Sequence, residues 1–235
     1  MWYLGGKIRL SKYIVPIIKY YIKSENSLFI DLFCGGCNII DKIDNTNNKI
    51  ANDNNKYLIS MWNNIDKVDL SEIKITKEHY DEVRNNKDYY EDWYVGFIGF
   101  HFSYGGKFFG GFARSRYEDH IERSCTKTIK QYEYLKNVYF SHQDYKYYSN
   151  VKDAVIYCDS PYDNCTQKST KYLSSFDHRE FWEWVRKMSK YNTVLISEKI
   201  APDDFEVIWE KSHNSNMSYI KSDKTSEKLF KYKRS

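Results

Sequence analysis

The sequence predicts an α/β fold: an open, Rossmann-like sheet with a mainly helical insert between its second and third strands. Three observations predict it. Short apolar runs of strand length alternate with amphipathic helical stretches, the pattern of a sheet with crossover helices. The first run ends in Gly35-Gly36, a glycine turn of the kind that follows the first strand of nucleotide-binding units. From about 66 to 136 the alternation gives way to charged, aromatic, helical-looking sequence around a glycine-rich segment at 103–112, after which strand-like runs return.

Taken in order, Leu10 to Ile22 reads as a helix, with Ile14, Ile17 and Ile18 at helical spacing and Ser11 near its start. Ser27 to Phe33 is a nearly continuous apolar run and reads as the first strand. Asn38-Ile39-Ile40 reads as the opening of a helix after the glycine turn. Lys49 to Asp53 is a second strand ending on an acid, and Tyr57 to Asn64 is a helix that buries Leu58, Ile59 and Trp62. Beyond the insert, Asn137 to Phe140 and Ala154 to Asp159 are strand-like. Asp177 to Ser189 is an amphipathic helix, and Thr193 to Ser197, Phe205 to Trp209 and Lys228 to Tyr232 complete a β-rich end. The expected division is a catalytic domain from 1–65 and 137–235, interrupted by the insert 66–136.

A chain of 235 residues can bury a substantial core without a metal or disulfide staple. Aromatic residues make up 18% of it, which argues against disorder. No apolar run is long enough for a membrane span, and Met1 to Lys7 lacks the apolar stretch of a signal peptide. The five cysteines form an odd set, expected to stay reduced in a cytoplasm. Cys34 and Cys37 form a C-x-x-C, but no second pair has the spacing of a zinc ribbon, so no metal is expected. A redox pair is the alternative reading of those two thiols. The net charge of +4 is unevenly spread: 1–23, 101–130 and 221–235 are basic, and 31–100 is acidic. Separate basic segments suit an anionic partner met on one face, but on charge alone a solvated, lysine-rich surface is the plainer reading.

Two constellations carry chemistry. In Asp31-Leu32-Phe33-Cys34-Gly35-Gly36 the glycines let a ligand approach the backbone, but G-x-G-x-x-G is absent, so the dinucleotide fingerprint fails. Asp31 would repel a pyrophosphate and attract a cation. Asp53 lies at the distance usual for a carboxylate that grips ribose hydroxyls. A nucleoside cofactor with a positive group and no phosphates fits both, and S-adenosyl-L-methionine (SAM) meets that description. The second constellation is Asp159-Ser160-Pro161-Tyr162, directly after an apolar strand. Its carboxylate and a backbone carbonyl can both accept from one NH₂ group, and the ring of Tyr162 can stack on the base that carries it. The segment Tyr104 to Arg123 adds glycines, aromatics and Lys107, Arg114, Arg116 and Arg123, side chains suited to phosphates or base edges.

In this order the motifs resemble the Dam-like (D12 class) DNA adenine-N6 methyltransferases, especially those of phages. Tyr3-Leu4-Gly5-Gly6-Lys7 is similar to the family's N-terminal cofactor motif and Phe29 to Gly36 to its SAM loop. Asn52-Asp53 is similar to the ribose-binding acid, Asp144-Tyr145 to the pair that meets the cofactor adenine, and Asp159 to Tyr162 to the catalytic D-P-P-Y. Phe176-Asp177-His178, the Val194–Glu198 strand, Trp209-Glu210-Lys211 and Glu227-Lys228-Leu229-Phe230 continue the likeness over nearly the whole chain. The resemblance implies a SAM-dependent methyltransferase fold with a target-recognition insert, acting on double-stranded DNA as a monomer or weak dimer, in a bacterium or phage-infected host cell. It implies catalytic Asp159, Ser160, Pro161 and Tyr162, and cofactor-binding Tyr3, Lys7, Asp31, Phe33, Gly35, Asp53, Asp144 and Tyr145. DNA contacts would come from Lys107, Arg114, Arg116 and Arg123. Two positions depart from the family pattern: Ser160 stands where proline is usual, and Cys37 where a second glycine is usual. Methylation of RNA or of a protein, and a degenerate DNA-binding paralogue, are the rival readings.

Overall fold

The computed structural model describes residues 1–68, 75–113, 119–162, 176–214 and 224–233. Within them the strands β1 (Leu28–Asp31), β2 (Asn48–Asn52), β3 (Val138–Ser141), β4 (Ala154–Cys158), β5 (Thr193–Glu198), β6 (Phe205–Asn214) and β7 (Lys224–Tyr232) form one sheet in the order β3-β2-β1-β4-β5-β7-β6. The first five are mutually parallel; β7 runs antiparallel between β5 and β6. The Rossmann-like α/β fold expected from the sequence is therefore present, and the β-rich end closes one side of the sheet.

The strands were legible as apolar runs because both faces of the sheet are covered. Phe29, Ala51, Val155, Tyr157, Leu195 and Leu229 belong to a core shared with α1 (Ser11–Tyr21), α2 (Lys56–Trp62) and α4 (Asp92–His101). Their neighbours Ile30, Ile156, Cys158, Val194, Ile196 and Phe230 belong to the opposite core, under α6 (His178–Met188). The helices α3 (Lys77–Asn85), α4 and α5 (Asp119–Tyr132) lie in the stretch read as an insert. They add Tyr80, Val83, Phe97, Ile98 and Cys125 to the α1/α2 core rather than building a separate one.

Side-chain caps start several helices, as their sequences suggest. Asn55 accepts from the backbone N–H groups of Tyr57 and Leu58, Thr76 from that of His79, and Asp177 from that of Glu180. One expectation is corrected. No α-helix follows the glycine turn; there is only a short 3₁₀ turn, Ile40–Lys42. Cys37 sits in the left-handed region at φ 55°, and its N–H donates to Cys34 O at 2.7 Å, so the chain turns back instead of starting a helix. That backbone conformation also explains why glycine suits this position.

The parallel register sets the stage for the site. Asp31 pairs with Ala51 on one side and Tyr157 on the other, so β1, β2 and β4 end together. Asp31, Asp53, Asp159 and Glu198 all lie at or just past strand ends on one edge of the sheet. Because β7 is antiparallel and Lys228 pairs with Glu198, Glu227 of β7 reaches the same edge.

Candidate active site

Lys7 is the centre of this edge. Its ammonium is buried and lies 2.8 Å from Asp159 Oδ1 and 4.0 Å from Glu227 Oε2. The same nitrogen stands 4.8 Å from the centroid of the Tyr162 ring. The Tyr162 hydroxyl donates to Glu227 Oε2 at 2.7 Å. Beneath them Tyr157, also buried, shares a 2.7 Å hydrogen bond with Ser197 Oγ. Burial disfavours the charge on Lys7, but Asp159 and Glu227 together outweigh it and raise its pKa above the usual lysine value. Burial likewise raises Asp159, and Lys7 holds the rise in check. Burial, followed by the nearby carboxylates, raises Tyr162, so its hydroxyl stays protonated and acts as a donor.

The glycine turn forms the next wall. Gly35 has φ 46°, and a Cβ there would fall 2.7 Å from the Tyr3 ring, so the turn closes only around glycine. Its backbone N–H donates to Asp53 Oδ2 at 3.1 Å, and the Asn55 N–H donates to Asp53 Oδ1 at 2.9 Å. Burial pushes the Asp53 carboxyl up to about 6 despite these two donors. Trp62 Nε1 donates to Gly35 O at 3.2 Å, and Gln131 of α5 donates to the carbonyls of Gly36 and Cys37. Asp31 is fully buried with one oxygen, Oδ1, that has no hydrogen-bond partner. Burial, then Asp159 and Asp53, push its carboxyl well above the ordinary range. A buried carboxylate oxygen without a donor, facing other acids, is a site waiting for a cation or an N–H or O–H group.

A cavity of about 670 Å³ joins these walls and is lined by Tyr3, Lys7, Asp31, Phe33, Gly35, Asp53, Lys107, Asp159, Ser160, Pro161 and Tyr162. A neighbouring cleft of about 160 Å³ is lined by Phe33, Asp144 and Tyr145 together with Phe176 and Glu180. Phe33 borders both, and its ring also packs on Tyr145, Phe176 and Phe181, so it serves the core and the site at once. Arg123 is exposed on α5 and lines neither space. Arg114 and Arg116 lie outside the described residues.

Three residues placed beside these walls were given no role in the sequence reading. Glu227 appeared there only within a motif, Glu198 as a strand end, and Gln131 not at all. Burial pushes Glu198 up to about 7. The signal for Glu227 was the alternation of β7, which puts it on the same face as buried Leu229.

The family profile of D12 class N6 adenine-specific DNA methyltransferases matches residues 3–228. Type II methyltransferase M.FokI of Planomicrobium okeanokoites is 25% identical over 188 residues, covering 68% of this chain and 28% of that protein. The chain thus spans little more than a quarter of the length of that relative. Among solved structures, the rRNA methyltransferase aviRa from Streptomyces viridochromogenes superposes with a TM-score of 0.44 at 8% identity, covering 96% of this chain and 84% of that one. SMU.472, solved with SAH, gives 0.40 at 11% identity, covering 96% and 52%. With a match that runs from the N-terminal Tyr3 motif to β7, the chain belongs to the D12 class N6 adenine-specific DNA methyltransferases.

Proposed function

We propose that this protein transfers a methyl group from SAM to the N6 nitrogen of an adenine flipped out of double-stranded DNA. One observation carries the reading: Asp159, paired with Lys7 at 2.8 Å, and the ring of Tyr162 share a cavity with the acids and glycine turn suited to a cationic nucleoside. The residues present fit SAM. The orphaned Asp31 oxygen would take its ammonium group, and Asp53 would accept from its ribose hydroxyls. Phe33 and Tyr145 border the cleft of about 160 Å³ that would take its adenine. When bound, SAM supplies a methyl group on a sulfonium, which leaves readily.

The chain's own work is to make a poor nucleophile attack. The N6 lone pair is conjugated into the adenine ring. If its two hydrogens donate to the Asp159 carboxylate and the Ser160 carbonyl, the nitrogen is drawn toward tetrahedral geometry and its lone pair is freed. The required group at Ser160 is a backbone carbonyl, which serine offers as well as proline. Asp159 then accepts the proton that N6 must shed once methylated. Lys7 keeps that carboxylate ionised and still. Tyr162 stacks on the base, which the duplex would otherwise hide. Orientation and electrostatics supply the rate.

Target recognition is assigned to the segment 66–136, where Lys107 lines the cavity and Arg123 faces solvent. Lys107→Ala and Arg123→Ala should each weaken DNA binding and flatten its salt dependence by roughly one counterion.

The test is incubation with labelled SAM and unmethylated DNA, then nucleoside analysis and mapping of modified sites. Label in N6-methyladenine is expected, and it should vanish in Asp159→Ala. Label in RNA or protein but not in DNA would refute the reading, as would an Asp159→Ala variant of wild-type rate.

A further inference from the structure

Stacking on a flipped base needs a ring, and phenylalanine would supply one. Tyr162 carries a hydroxyl, and that hydroxyl is committed: it donates to Glu227 Oε2 at 2.7 Å. Glu227 comes from β7, across the sheet edge from the loop that bears Tyr162. Its carboxylate is largely buried, with 16% of the side chain exposed, and it also lies 4.0 Å from the Lys7 ammonium. Lys7 in turn holds Asp159 at 2.8 Å and stands 4.8 Å from the Tyr162 centroid. Lys7, Glu227 and Tyr162 therefore close a triangle of contacts, and Asp159 joins it through Lys7, the four residues coming from three separate parts of the chain. Within it, Glu227 is the member that fixes the aromatic ring to the sheet.

Building on the adenine-N6 reading above, we propose that Glu227 is a positioning residue for methyl transfer: it anchors the Tyr162 ring through the phenolic hydroxyl and shares Lys7 with Asp159, so that the stacking ring and the catalytic carboxylate keep a fixed spacing. The bond runs from an O–H donor to a carboxylate oxygen away from bulk water, where a hydrogen bond has its greatest hold. Substrate orientation is where such a hold is felt, because small misplacements of the reacting groups cost rate rather than ground-state binding.

The experiment compares wild type, Tyr162→Phe, Glu227→Gln, Glu227→Ala and the double variant Tyr162→Phe/Glu227→Ala. Each is assayed for kcat and for the KM of SAM on a duplex carrying the mapped target site. Tyr162→Phe should lower kcat by about tenfold and leave the KM of SAM unchanged. Glu227→Ala should lower kcat further, since Lys7 also loses a partner. Adding Tyr162→Phe to Glu227→Ala should then cost little more. Glu227→Gln keeps an acceptor for the hydroxyl and should recover much of the loss. Independent, multiplying effects of the two positions would overturn the proposal, and so would a Glu227→Ala variant with wild-type kcat. If wild type methylates no DNA at all, the adenine-N6 reading falls instead. The brace is then judged by thermal denaturation of the same set. Coupled losses of stability at the two positions uphold the anchor, and additive losses remove it.

Discussion

Lys7 and Asp159 form a buried ion pair with Nζ and Oδ1 2.8 Å apart, joining the N-terminal segment to the end of β4. The resemblance to known methyltransferases placed Lys7 with the cofactor; the geometry ties it to the acid that would handle the adenine amine. Neither charge would sit comfortably here alone, because burial works against both. Such a pair adds little net stability when intact, but removing one partner strands the other, at a cost of about 3–5 kcal/mol.

Lys7→Met should therefore do two things. It should lower the melting temperature, and it should move the acid limb of the kcat–pH profile to higher pH. The sign follows from the chemistry. In the proposed reaction methyl transfer needs the Asp159 carboxylate; burial raises its pKa, and Lys7 is the main group that opposes the rise. Without Lys7 the carboxylate ionises later as pH increases. Lys7→Arg, which keeps the charge, should leave the limb close to its wild-type position. An unmoved limb in Lys7→Met, read from kcat between pH 5.5 and about 9, would show that Asp159 does not depend on Lys7.

Asp53 gives a second pH dependence with two opposite faces. Its folded-state pKa is raised to about 6 by burial, against an ordinary value of 3.8. The folded chain therefore holds this proton longer than the unfolded chain does. The group's contribution to stability is complete below pH 4 and is lost as pH rises through about 6, an effect of about 3 kcal/mol. Glu198, raised to about 7, acts in the same direction over a window that extends higher. Affinity for SAM should run the other way, because ribose hydroxyls donate best to an ionised carboxylate. Binding should weaken by up to tenfold per unit as pH falls below about 6. Calorimetric titrations from pH 5 to pH 8 on wild type and Asp53→Ala would check this. A variant with wild-type affinity would remove the ribose role.

How much of this could be read beforehand depends on how local the physics is. The run Ser27 to Phe33 announced β1 because a strand buried on both faces must be apolar throughout. Asp177 to Ser189 announced α6 through its periodicity and its capping acid. The Asp31, Gly35 and Asp53 spacing announced a shared cavity wall because strand, turn and acid follow one another along the chain. Asn38-Ile39-Ile40 misled, since three isoleucines, Ile39, Ile40 and Ile43, are buried in an irregular connection that imitates a helix start. What decided it was the left-handed Cys37, which no apolar pattern reports. The partners of Lys7 were hidden for a different reason. Asp159 and Glu227 are distant in sequence and are brought to it by parallel β4 and antiparallel β7, a matter of topology rather than motif.

Gly35 and Tyr3 test the closeness of the glycine turn. Gly35→Ala imposes two separate costs: a left-handed backbone, worth about 1–2 kcal/mol, and a Cβ that would meet Tyr3 Cε1 at 2.7 Å. The double variant Tyr3→Ala/Gly35→Ala removes the second cost and leaves the first. In a denaturation cycle the Gly35→Ala penalty should therefore be smaller in the Tyr3→Ala background than in wild type. Equal penalties in the two backgrounds would mean that the ring does not press on the turn.

Through Gly96, helix α4 should act on the glycine turn by way of α2. A Cβ at Gly96 would fall 2.1 Å from the backbone oxygen of Tyr57, so Gly96→Ala must push α4 away from α2 or move α2 itself. The helix α2 holds the loop at both ends. Asn55, its cap, donates its backbone N–H to Asp53, and Trp62 donates its indole N–H to Gly35 O. Displacing α2 therefore strains the carboxylate and the turn together. Gly96→Ala should cost about 1–3 kcal/mol of stability, as overpacking in a close helix contact does, and should weaken SAM binding as well. Gly99→Ala on the same helix is the milder change. Its Cβ would meet the side chain of Phe108 at 2.4 Å rather than backbone, so a ring can move to relieve it. Wild-type SAM affinity in Gly96→Ala, measured by calorimetry at a temperature where the variant is folded, would show that the path does not run through α2.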